Sequence, residues 1–99
     1  MNTNGSPETS AAWTFLSNHG HVLVCIIRDP NVRVREIAQA VGVTERAVQR
    51  ILSELEAAGV IVRTRQGRRT HYEVNERQPL RHPIEARHSV GELLRVVRS

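Results

Sequence analysis

The chain has 99 residues, enough for one domain built around one core. Hydrophobic residues make up 39% of it and charged residues 24%, which is ordinary globular usage, and no apolar run approaches the roughly 20 residues of a membrane-spanning helix. The formal net charge is +4 and all 14 basic residues are arginines, so an anionic partner is indicated only where those arginines cluster at reachable positions.

Three aromatics, Trp13, Phe15 and Tyr72, leave the core to Val, Ile, Leu and Ala, which favours a small, mostly helical domain over a sandwich. No basic segment followed by an apolar one stands at the N-terminus, so no secretory signal is read and the cytoplasm is the expected compartment. Residues 1–12 open with "MNTNGSPETS", polar and without apolar periodicity, and read as a disordered arm. In "AAWTFL" the residues Trp13, Phe15 and Leu16 are too few for a core of their own and are expected to pack on another element or a second subunit.

In "SNHGHVLVCIIRDP", Ser17 or Asn18 can cap a helix and Asp29-Pro30 ends it, because the residue before proline avoids the α region. Residues 22–27 are apolar all round and fit a central buried helix or a buried strand; the cap and the proline favour the helix. The one cysteine, Cys25, lies in this run and reads as a packed thiol. Further on, Val34, Ile37, Ala38 and Val41 follow helical spacing, and so do Val48, Ile51, Leu52 and Leu55. Gly42 parts the two helices at a corner expected to need positive φ, Thr44 caps the second, and Gly59 closes it.

"VIVRTR" and "RTHYEV" are short and β-branched, and with "QGR" between them they predict a hairpin whose inner face carries Tyr72 and Val74. A polar, proline-containing connection follows. Ser89 with Glu92 then forms a capping box, and Val90, Leu93, Leu94 and Val97 make the stripe of a last helix. A domain complete by residue 75 has little need to bury that stripe, which makes it the expected seam of a homodimer.

Helix, helix, tight turn, helix and hairpin is the layout of a winged helix, and residues 19–75 resemble the winged helix-turn-helix regulators of the MarR-like and ArsR-like type. The resemblance rests on small Ala38 at the helix crossing, Gly42 four residues later, Val48 and Ile51 as anchors, and Ile37, Val41 and Val43 at the buried positions. It implies a mainly α fold with a small β-hairpin, a DNA-binding domain over 13–78, and a linker and dimerisation helix over 79–99. It also implies a bacterial transcription regulator acting on double-stranded DNA as a homodimer, with helix 44–58 in the major groove and the wing at 65–69 on backbone or minor groove.

The residues themselves support that reading. With Leu55 on the buried face, Glu45, Arg46, Gln49, Arg50 and Ser53 fall on the opposite face, and Arg and Gln are the side chains able to pair bidentately with base edges. The competing reading is a solvated helix face, against which stands the clustering of basic and amide residues in the first two turns. "VRTRQGRRTH" packs Arg63, Arg65, Arg68 and Arg69 around Gly67, a density that repels itself unless an anion meets it, although charge also protects an edge hairpin from aggregation. The DNA-contacting set is therefore Thr44, Arg46, Gln49, Arg50, Ser53, Arg65, Arg68 and Arg69.

No Ser/His/Asp or Cys/His arrangement, phosphate-cradling glycine loop or close carboxylate pair suggests catalysis, so no catalytic residue and no cofactor is assigned. His19 and His21 would face roughly 200° apart on a helix, a poor start for a metal site. Two rival readings remain open: a winged-helix module for protein–protein contact, and a metal- or redox-responsive ArsR-like sensor.

Overall fold

Helices α1 (Asn18–Arg28), α2 (Val34–Val41) and α3 (Glu45–Ala57) are followed by strands β1 (Ile61–Gln66) and β2 (Arg69–Val74) and by helix α4 (Val90–Val97). The computed structural model describes residues 13–98, so the arm read at 1–12 lies outside the described residues.

The apolar run at 22–27 is helical. Ser17 caps α1 by accepting a hydrogen bond from the Gly20 backbone, and Asp29 ends it just before Pro30. Val22, Leu23 and Ile26 are buried, which puts α1 at the centre of the molecule. Cys25 is half-buried and packs against the core; burial raises its thiol pKa.

α2 and α3 meet at a corner. The Gly42 and Val43 amides both donate to the Ala38 carbonyl, at 2.8 and 3.1 Å, and Gly42 sits at φ 86°. A Cβ added at Gly42 would touch nothing within 4 Å, so its backbone angle and not its space demands glycine. Thr44 then starts α3 by accepting from the Ala47 amide at 3.0 Å. Residues 44 and 58 expected inside this helix are its two caps. Ala38 and Ile37 from α2 and Val48, Ile51, Leu52 and Leu55 from α3 are buried, the pattern their spacing predicts.

The hairpin pairs antiparallel, Ile61 with Val74 through to Gln66 with Arg69, leaving Gly67 and Arg68 as a two-residue turn. Gln66 therefore belongs to β1 and not to the connection. Ile61 and Tyr72 are buried and Val74 half-buried, so the inner face covers the helices while Val62 faces outward. The Tyr72 amide also donates to the Pro30 carbonyl at 2.8 Å, which fastens β2 to the loop between α1 and α2.

α4 departs from expectation. Both capping-box bonds form: Ser89 accepts from the Glu92 amide at 3.1 Å, and Glu92 accepts from the Ser89 amide at 2.7 Å. Yet Val90 and Leu94 are buried in the same core as α1 and α3, so a domain complete by residue 75 is corrected: the core closes only with α4. The reason is the path of residues 75–80, which turn back along the helix start. The Val90 and Gly91 amides donate to the Gln78 and Glu76 carbonyls at 2.8 and 2.9 Å, and the Leu80 amide to the His88 carbonyl at 2.9 Å. A Cβ at Gly91 would lie 2.7 Å from the Glu76 Cβ, so the approach needs a residue without one. Leu93 and Val97 stay half-exposed and Val96 is 81% exposed, and this outer strip is what α4 leaves uncovered.

Candidate nucleic-acid interface

Helix periodicity sorts α3 into two faces. Val48, Ile51, Leu52 and Leu55 point into the core, and Arg46, Gln49, Arg50 and Ser53, at spacings of three and four, share the opposite exposed face. Thr44 is exposed at its start, with its hydroxyl oxygen already used as the cap. The α3 part of the expected set thus lies on one continuous surface.

Within that surface the arginines differ. Among the described residues Arg46 has no intramolecular partner, whereas Arg50 reaches toward the C-terminal end of α3, its NH1 3.3 Å from Glu54 Oε2. Glu54 also accepts from His19 Nε2 at 2.6 Å, which joins α1 to α3. The His19 bond, and to a smaller extent Arg50, holds the Glu54 carboxyl below its ordinary pKa.

At the wing, Arg65, Arg68 and Arg69 are all exposed, but their bonds set them apart. Arg68 occupies the turn. Arg65 Nε donates to the Gly67 carbonyl at 3.0 Å, which braces the turn from inside the hairpin. Arg69 NH2 donates to the Asn31 carbonyl at 2.8 Å, and His71 Nδ1 lies 3.0 Å from Asn31 Oδ1. Arg63, counted by sequence among the anion-facing arginines, is committed elsewhere: its Nε and NH2 donate to Glu56 Oε1 at 3.1 and 2.7 Å, and that pair holds Glu56 below its ordinary pKa. Glu56, which would repel phosphate at the far end of α3, is thereby neutralised locally.

Two residues escaped the sequence reading. Asn31 anchors the wing through both its backbone carbonyl and its side chain. Arg33 lines a cleft of about 340 Å³ between the start of α2 and the wing, together with Arg68 and Arg69. Position immediately after Pro30 was the available signal for Asn31. For Arg33 it was membership of the alternating "VRVRE" run, whose valines are the ones turned inward.

The histidines do not assemble a metal site. His19 is engaged with Glu54 and His21 with Asn18, and among the described residues no three His, Cys, Asp or Glu side chains converge. Among these residues no helix is long and apolar enough to cross a membrane.

Residues 17–62, just under half of the chain, match the family of winged helix-turn-helix DNA-binding domains. Among solved structures the chain is similar to MepR, a transcription regulator of the Staphylococcus aureus multidrug efflux pump MepA. Identity is 24%, the TM-score is 0.51, and the match covers 59% of this chain and 45% of that one. The chain thus spans less than half the length of that regulator, and at this identity the likeness is one of fold. No curated protein matches. The architecture is a winged helix-turn-helix, and the matched domain type is one that works by binding DNA and not by catalysis.

Proposed function

We infer that the chain is a sequence-specific, double-stranded-DNA-binding transcription regulator that works as a homodimer. α3 enters the major groove and presents Arg46, Gln49, Arg50 and Ser53 to base edges, with Thr44 at the phosphate flanking its start. The wing carries Arg65 and Arg68 to the backbone or the adjacent minor groove, and Arg69 sets the angle at which it does so.

The single observation that carries this reading is the outer face of α3. Four residues able to bond bases or phosphates stand there in one exposed row, with the Arg68 turn of the wing on the same molecule. A face that served only solubility would not need arginine and glutamine concentrated in the first two turns. Outside α3, the strip of Leu93, Val96 and Val97 on α4 and exposed Trp13 and Phe15 offer apolar surface for a second copy. Two copies would place two recognition helices on half-sites about 34 Å apart.

Selection of duplexes from a random pool, repeated across salt concentrations, tests the reading. A recovered motif with two related halves, and affinity that falls steeply between about 50 and 200 mM salt, is the expected result. Affinity independent of salt would turn the reading toward protein–protein contact.

A further inference from the structure

Glu54 stands four residues after Arg50 and 2.6 Å from His19, so one carboxylate on the exposed part of α3 holds an arginine of its own helix and a histidine of α1. The two bonds are unequal. His19 is held at short range, while Arg50 is held at 3.3 and 3.5 Å through a single nitrogen. An Arg that precedes its Glu by one helical turn is also in the less favourable order for such a pair. The bond draws the guanidinium toward the C-terminal end of α3, away from the first two turns where Arg46 and Gln49 stand.

We propose that Glu54 is a positioning residue that restrains Arg50, and that the charge on His19 sets how firmly it does so. The proposal rests on the DNA-reading role inferred for α3. With neutral His19, Arg50 is the only one of the two partners that brings positive charge to Glu54, and it stays parked there. With protonated His19, two cations compete for one carboxylate, the closer one wins, and Arg50 turns outward to bases. Arg81 and Glu85 from the segment before α4 line the same groove as His19 and Glu54; they oppose each other in sign there, and no bond from either to His19 or Glu54 is recorded. Restraint gives discrimination a reason to depend on pH beyond the general gain in DNA affinity that any added positive charge brings.

The test uses the ratio of affinities for the selected duplex and a scrambled one, which cancels the general gain. Wild type, Glu54→Gln, His19→Gln, Arg50→Ala and the double variant Arg50→Ala/Glu54→Gln are titrated at about pH 5.5 and 8. Glu54→Gln should raise the ratio about two- to fivefold at pH 8, the scale of one exposed ion pair, and remove its pH dependence. His19→Gln should hold the ratio at its high-pH value throughout. In the Arg50→Ala background the Glu54 change should leave the ratio where it was. An equal gain on both duplexes, or the same gain in the ratio without Arg50, overturns the proposal and makes Glu54 a charge that merely repels phosphate. A wild-type ratio near one at both pH values sinks the DNA-reading role of α3 itself, whereas a high ratio unmoved by Glu54→Gln sinks this proposal alone.

Discussion

Arg69 and Asn31, 38 residues apart in the chain, are joined by a 2.8 Å hydrogen bond from guanidinium to backbone carbonyl. The bond ties the start of β2 to the loop between α1 and α2, and His71 seconds it on the Asn31 side chain. The wing is therefore set at a definite angle to the helices, and its arginines have separable tasks.

Substitution should reveal that separation. Arg68→Ala, at the free turn, is expected to weaken selected and scrambled duplexes nearly equally and to lower the salt slope by about one unit. Arg69→Ala should weaken both duplexes further than Arg68→Ala, because it also releases the wing from Asn31. Asn31→Ala leaves the backbone carbonyl in place and removes only the His71 contact, so it should cost less than the additional loss at Arg69. Titrations at two salt concentrations decide; identical losses for Arg68→Ala and Arg69→Ala would mean that the Asn31 bond has no part in placing the wing.

Among the described residues Arg46 is the arginine on the outer face of α3 without an internal partner, and this makes it the cleaner probe of base reading. Arg46→Ala should cost about 1–3 kcal/mol on the selected duplex and relax preference at one base pair. Scrambled duplex should lose much less. If both lose equally, Arg46 contacts phosphate and base reading passes to Gln49 and Arg50.

The two sides of α4 should behave differently. Leu94 is 1% exposed, and Leu94→Ala should destabilise the fold by about 2–5 kcal/mol in urea titrations. Val96 is 81% exposed, and Val96→Glu should keep the helical content while converting dimer to monomer in sedimentation and weakening DNA binding. A Val96→Glu protein that sediments as a dimer places the seam elsewhere. Removal of residues 89–99, which a domain complete by residue 75 would survive, should instead leave the core open and the chain poorly folded.

The capping box of α4 carries a pH signature. The Ser89 amide bonded to Glu92 holds that carboxyl below its ordinary pKa, so its charged form is favoured by folding. The stabilisation is present above the ordinary glutamate range and is lost as pH falls through the lowered pKa of the folded protein. Glu92→Gln should therefore melt below wild type at neutral pH, and the gap should narrow as pH falls below the ordinary glutamate range. A gap that is constant with pH would assign the effect to shape and not to charge.

The parts of this fold legible in the sequence are those determined by neighbours along the chain. Ala38, Gly42 and Thr44 declare the corner because small size, positive φ and capping are local needs. The two faces of α3 follow from spacing alone, so all of its expected contact residues do lie exposed. The Arg63–Glu56 pair is not legible in the sequence, because its members lie seven residues apart across the end of α3 and the start of β1, where no period relates them. Asn31 and Arg69 meet only once the hairpin folds back on the α1–α2 loop. The burial of Val90 and Leu94 likewise depends on the return of residues 75–80, which turn chemistry predicts as a loop but not as a docking rail.

Closure of the core by α4 also has a kinetic side. Contacts among α1, α2 and α3, and those within the hairpin, join residues near one another in sequence, so they can form early and cheaply in loop-closure entropy. Val90 and Leu94 must instead find a core begun nearly seventy residues earlier, at Val22. Contacts made after the transition state affect the rate of unfolding and hardly touch the rate of folding. Leu94→Ala should accordingly lengthen the unfolding arm of the chevron upward and leave the refolding arm in place, so α4 governs how long a folded molecule lasts and not how quickly one is made.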